Sequence, residues 1–122
     1  MFEIEITKNF SAAHQLKHYK GDCSKLHGHN WQVKVIVQAK KLDEIGIALD
    51  FRKLKKTLDE VVSSLDHSNL NELPQFNNVN PTSEVLAKFI YREISNIIND
   101  DNLKVSRVSI SESTDSTASY YE

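Results

Sequence analysis

The stretch His27-Gly28-His29-Asn30-Trp31-Gln32-Val33-Lys34-Val35-Ile36-Val37-Gln38-Ala39 decides how this chain folds. Trp31, Val33, Val35, Val37 and Ala39 alternate with Asn30, Gln32, Lys34 and Gln38, and only Ile36 breaks the pattern. A period of two marks a strand with one covered and one wet face, over about residues 27–39. Upstream, Phe2, Ile4, Ile6, Phe10 and Ala12 alternate with Glu3, Glu5, Thr7, Asn9 and Ser11, which predicts a first strand of the same kind. Downstream, Asp50 stands as an N-cap before Phe51, Leu54, Leu58, Val61, Val62 and Leu65, spaced for one face of a helix. Residues 66–81, rich in Asn and holding Pro74 and Pro81, read as loop. Pro81-Thr82-Ser83-Glu84 suits the positive start of a second helix. Its stripe is Val85, Leu86, Phe89, Ile90, Ile94, Ile97 and Ile98, and Asn99-Asp100-Asp101-Asn102 stops it. A strand over roughly 103–112 puts Val108, Ile110 and Glu112 on one face, and a short fourth follows near Thr117–Tyr121. The expected class is α+β in the order ββααββ, with a four-stranded antiparallel sheet and two helices on one face. So small a sheet cannot hide both edges, so an edge is expected to pair with another copy of the chain.

Composition narrows the function classes. The 122 residues, 39% hydrophobic and 26% charged, have room for one globular domain, expected to span 1–122. Fifteen basic against 17 acidic residues exclude the broad positive field of a dedicated nucleic-acid binder. The longest apolar run, Ile45–Leu49, is far short of a membrane span. Met1-Phe2-Glu3-Ile4-Glu5 alternates where a secretory signal needs a basic then an apolar block. One cysteine, Cys23, allows no intrachain disulfide. The expectation is a cytoplasmic protein acting on neither nucleic acid nor membrane.

Five histidines occur, at 14, 18, 27, 29 and 67. His27 and His29, two apart on a strand, project from one face and share parity with Trp31 and Val33. His14 shares parity with Ile6 and Phe10. If the two strands pair antiparallel across residues 15–26, the three rings meet at one end of the sheet on its covered side. Buried polar rings each need a partner. One zinc ion satisfies all three and keeps a fourth tetrahedral position open, as in catalytic sites. His-x-His alone is common by chance; His14 at matching parity makes metal the better reading, and His18 reads as loop. Four residues before His27, Cys23 has three readings: a small packed hydrophobe, a fourth zinc ligand, or a nucleophile or base beside the metal. Lys17, Lys20 and Lys25 flank it, either solvated or facing an anionic substrate. Asp66-His67 is an acid–imidazole pair able to relay protons at neutral pH, or else a solvated helix end. Glu112 continues a buried face, where a carboxylate needs a partner such as a planar array of donors, unless the strand frays and it reaches water.

Phe10-Ser11-Ala12-Ala13-His14, Cys23-x3-His27-Gly28-His29-Asn30, Leu49-Asp50-Phe51, Asp66-His67-x2-Leu70-Asn71, Asn80-Pro81-Thr82-x-Glu84 and Glu112, in this order, resemble the 6-pyruvoyl-tetrahydropterin synthase family over nearly the whole chain. The spacing of Cys23 and His27 resembles the 6-carboxy-tetrahydropterin synthase branch of queuosine biosynthesis; the pyruvoyl-forming branch tends to a longer gap, and a third branch has Glu in place of Cys23. The resemblance implies the tunnelling fold, with sheets closing into a barrel in a homohexamer whose active sites lie between subunits. It implies zinc on His14, His27 and His29, catalysis by Cys23, Asp66 and His67, and a pterin held by Glu112 with Thr82 and Glu84. The implied reaction converts 7,8-dihydroneopterin triphosphate to 6-carboxy-5,6,7,8-tetrahydropterin, releasing acetaldehyde and triphosphate. A pyruvoyl-forming synthase is the nearest alternative. A non-catalytic zinc-stabilised binding module, with Cys23 as fourth ligand, is the alternative of another class.

Overall fold

The computed structural model describes residues 1–21 and 24–122. Strands β1 (Phe2–His14) and β2 (His27–Ala39) pair antiparallel along their whole length, from Phe2 opposite Ala39 to His14 opposite His27. Helix α1 (Phe51–Val62) starts where Asp50 accepts a hydrogen bond from the Arg52 amide at 2.8 Å, as the N-cap reading expects. Helix α2 (Ser83–Ile98) is capped by Thr82, whose hydroxyl accepts from the Val85 amide at 3.2 Å, and ends at Asn99. Among the described residues no helix is long and apolar enough to cross a membrane.

The sheet has five strands rather than four. A two-residue strand β3 (Ser68–Asn69) lies in the stretch expected to be loop and runs parallel to Ala12–Ala13 of β1. Two residues carry no alternation, which is why the pattern gave no sign of it. Turns of 3₁₀ helix follow at Leu70–Glu72 and Pro74–Phe76. With β4 (Leu103–Ser113) and β5 (Ser116–Tyr120), the spatial order is β3-β1-β2-β4-β5, antiparallel except at β3. Both helices cover one face of this open sheet: α1 packs on β1, and α2 on β4 and β5.

The core lies between that face and the helices. Trp31, Val33 and Val35 are wholly buried against Leu54 and Leu58 of α1 and Leu86, Ile90 and Ile94 of α2. Each such side chain contributes about 1.5–3 kcal/mol relative to exposure. A register shift at Ile36/Val37 sets Val37 opposite Val105 and Ile36 opposite Arg107, so Ser106 is the extra residue and donates to the Ile36 carbonyl at 3.2 Å. This bulge lets Val105 and Val108, of opposite parity, both face inward. Two residues of the expected helix stripes lie outside the core: Phe51, 54% exposed, sits in the first turn of α1, and Ile97, 56% exposed, in the last turn of α2.

Candidate metal centre and pterin pocket

The antiparallel register brings the three histidines together. His14 sits directly opposite His27, and His29 lies opposite Ala12, one pleat further along the same face. Ring centroids are 4.7 Å apart for His14–His27 and His27–His29, and 5.1 Å for His14–His29. One ligating nitrogen from each falls within 4.8 Å of the others. Trp31 supports the group from below, its ring 4.9 Å from His14 and 5.0 Å from His29, stacked on Phe10 and donating through Nε1 to the Ala12 carbonyl.

Two backbone carbonyls settle the tautomers. The His14 Nδ1–H donates to the Pro81 carbonyl at 2.9 Å, and the His27 Nδ1–H donates to the Lys25 carbonyl at 2.7 Å. A carbonyl only accepts, so the proton sits on Nδ1 and Nε2 of each ring keeps its lone pair. Among the described residues the buried Nε2 of His29 has no hydrogen-bond partner. An unpartnered buried ring nitrogen close to two rings that keep free lone pairs suits a divalent cation, and carbonyl-bound Nδ1 groups are the usual outer support of metal-binding histidines. The three residues could supply three of the four ligands of a tetrahedral metal. Burial pushes the pKa of His14 and of His29 below the usual histidine value, against the upward pull of the Pro81 bond on His14 and of Glu112 on both. Both rings are therefore held neutral, the form that binds metal.

Glu112 lies at this site, half-buried. Its Oε2 is 3.8 Å from His29 Nε2, and its Oε1 accepts from the Ser83 hydroxyl at 3.0 Å. Ser83 escaped the sequence reading although it stands inside Asn80-Pro81-Thr82-x-Glu84; a second hydroxyl beside a helix cap was the available sign. Thr82 spends its hydroxyl on capping α2, and Glu84 is exposed in the first turn. Cys23 lies outside the described residues.

Asp66 and His67 form a pair, with His67 Nδ1 3.0 Å from Asp66 Oδ1. The carboxylate also accepts from the Ser11 amide at 2.9 Å, and this bond above all holds its pKa below the ordinary carboxylate value. His67 is in the left-handed region at φ 57°, pinned by its amide to the Ser11 carbonyl. Its ring, 83% exposed, borders a groove lined by Ser11, Ala13, Gly28 and Asn30, which alternate away from the triad's face, and also by Ala12, Ser68 and the triad's own His29. Among the described residues no hydrogen bond or ion pair joins Asp66 or His67 to the triad or to Glu112.

The family profile described as 6-pyruvoyl tetrahydropterin synthase matches residues 3–122. The chain belongs to this family. An Archaeoglobus fulgidus member provisionally named 6-carboxy-5,6,7,8-tetrahydropterin synthase is 38% identical over 94% of this chain and 91% of its own. The 6-carboxy-5,6,7,8-tetrahydropterin synthase of Synechocystis is 40% identical over 70% of this chain and 69% of its own. A dihydroneopterin monophosphate aldolase of Pyrococcus furiosus is 37% identical over 84% of this chain and 82% of its own. Among solved structures, the 6-pyruvoyl tetrahydropterin synthase of Caenorhabditis elegans superposes with a TM-score of 0.87 at 27% identity, covering 99% of this chain and 95% of that one. The fold is thus that of the 6-pyruvoyl tetrahydropterin synthase family, and the chain is a pterin synthase-type enzyme.

Proposed function

We propose that this chain is a zinc-dependent lyase that converts 7,8-dihydroneopterin triphosphate to 6-carboxy-5,6,7,8-tetrahydropterin, releasing acetaldehyde and triphosphate, on the route to queuosine and related 7-deazapurines. The observation that carries the reading is the histidine triad, His14 buried and His27 and His29 half-buried, with Nε2 free on His14 and His27 and a carboxylate beside His29. Zinc, when bound by His14, His27 and His29, supplies a Lewis acid that lowers the pKa of the substrate's side-chain hydroxyls. Glu112, oriented by Ser83, accepts two hydrogen bonds from the guanidine-like edge of the pterin and fixes its side chain toward the triad. Thr82 and Glu84 border the pterin at the same helix start. Cys23, as thiolate, takes the proton from the substrate's side-chain carbon. Asp66 keeps its charge and holds His67 by Nδ1, leaving Nε2 to move a second proton.

Because Asp66–His67 stands at the sheet edge and, among the described residues, no hydrogen bond or ion pair joins it to its own triad, the pair serves the triad of a neighbouring copy. This supports active sites between subunits, and with it our reading of a homohexamer whose sheets close into a barrel and which acts in the cytoplasm. The test is product analysis of zinc-loaded protein given 7,8-dihydroneopterin triphosphate. Acetaldehyde with a carboxypterin is expected. A pyruvoyl product moves the chain to the sister activity, and turnover confined to the monophosphate moves it to the aldolase type. A protein that binds zinc and leaves all these substrates unchanged overturns the enzymatic reading in favour of a binding module.

A further inference from the structure

One edge of β1 continues past the end of the sheet by means of side chains. At Ser11 the edge is met by the Asp66 carboxylate and the His67 amide, and at Ala12–Ala13 by β3. At Gln15 it is met by Asn71, whose Oδ1 accepts from the Gln15 amide at 2.8 Å while its Nδ2 donates to the Gln15 carbonyl at 2.9 Å. At Lys17 it is met by Asn80 in the same manner, at 2.8 Å and 2.9 Å. A carboxamide offers one acceptor and one donor side by side, as a peptide edge does, so each asparagine acts as a one-residue strand. Residues 15 and 17, two apart, present the same edge, as an extended chain requires. His18 then turns out of line at φ 67°.

The clipped limb, residues 15–17, leads from His14 into the loop that carries Cys23 in the sequence. Asn80 precedes Pro81, whose carbonyl accepts the hydrogen bond from the His14 Nδ1–H. The dipeptide Asn80-Pro81 therefore grips one segment twice: its first side chain holds the Lys17 backbone and its second carbonyl orients the His14 ring. Pro81 is buried and its ring restricts Asn80 to extended backbone, so the two grips are set at a fixed separation.

We infer that Asn80, with Asn71, is a positioning residue for the metal centre: the carboxamide clips fix the exit of β1 and with it the tautomer and aim of His14. The inference rests on the reading of the triad as a metal site. A control is built into the fold, because Asn102 clips Lys41 in the same bidentate way, at 2.8 Å and 3.1 Å, beyond the far end of β2. The experiment compares Asn80→Ala, the milder Asn80→Asp, which keeps the acceptor and loses the donor, and Asn102→Ala. Zinc affinity is measured by chelator competition, and the ring-nitrogen NMR shifts of His14 are read in metal-free protein. Asn80→Ala is expected to weaken zinc binding by about tenfold or more, the range of lost outer support, and to turn the single Nδ1-protonated His14 into a tautomer mixture. Asn80→Asp falls between, and Asn102→Ala keeps zinc affinity within about twofold of the parent despite its own loss of thermal stability. Unchanged zinc affinity in Asn80→Ala and Asn80→Asp overturns the inference, as does an equal loss in Asn102→Ala. If the parent protein itself binds no zinc, the metal reading fails, and the His14 tautomer alone decides whether the clips orient the ring.

Discussion

Replacing Trp31 with Phe tests whether the histidines rest on a fixed platform. The indole is wholly buried, stacked on Phe10 and in edge contact with His14 and His29. Phe keeps the aromatic face and removes the Nε1 donor to Ala12, a hydrogen bond of about 1 kcal/mol. It also removes the second ring, leaving a small void among Leu and Val side chains that cannot fully collapse, about 1–2 kcal/mol more. The metal-free protein should therefore lose about 2–3 kcal/mol, which for a chain of this length lowers the melting temperature by roughly 6–12 °C. His14 and His29 lose part of their support at the same stroke, so zinc affinity should fall as well, by about tenfold. Thermal unfolding followed by circular dichroism, with chelator and with saturating zinc, measures both effects. A melting temperature within about 3 °C of the parent would refute the packing argument. A full loss of stability with unaltered zinc affinity would refute the claim that the platform aims the rings.

Three further outcomes are expected. Metal-free protein should lose stability as pH falls below about 6.5: His14 and His29 have depressed pKa values when folded, so the unfolded chain binds more protons there, and the folded state's advantage, complete above that pH, drains away below it. Urea midpoints between about pH 7.5 and about pH 5 check this, and the decline should be smaller in His29→Gln. Glu112→Gln should raise the dissociation constant for a pterin by about ten- to a hundredfold, the worth of a charge-assisted hydrogen bond, while zinc stays bound; pterin fluorescence titration reads the first and metal analysis the second. Asp50→Ala, which deletes the N-cap of α1 far from the triad, should cost about 1 kcal/mol of stability and leave zinc affinity untouched, as calorimetry and chelator competition can show.

What could be read in advance was what periodicity encodes. Alternation marks β1 and β2, and the same parity puts His14, His27 and His29 on one face, since register follows once the covered faces must coincide. Helix starts were legible because Asp50 and Thr82 are side chains that cap their own backbone. The rest was hidden for the converse reason: it depends on groups without a residue-specific signature. Backbone carbonyls of Lys25 and Pro81 fix the tautomers, a two-residue β3 has no pattern, and the bulge at Ser106 shifts the parity of β4. Asn71 and Asn80 stand in motifs that carry the family resemblance, but their role has no local sign, because it is to imitate a strand for a segment remote in sequence. The placement of Asp66–His67 depends on how α1 returns to β1, which no local rule specifies.

The chemistry of the triad and the stability of the fold pull in opposite directions, and the arrangement of hydrogen bonds shows how the conflict is met. His14 is almost completely buried and sits against two other imidazoles, so any proton taken up there meets both desolvation and like-charge repulsion. Two of the rings have each given their one N–H to a carbonyl, which offsets part of the burial cost and leaves only acceptors pointing inward. Acceptors alone cannot satisfy one another, and among the described residues the buried His29 Nε2 has no partner. The metal-free centre is therefore a local weakness at the end of the core. A cation that binds only the folded form removes that weakness and adds stability by mass action, about 2.7 kcal/mol at a hundred times its dissociation constant. The same nitrogens that cost stability without metal are thus the groups that could hold a metal ion, and they lie beside the half-buried carboxylate of Glu112.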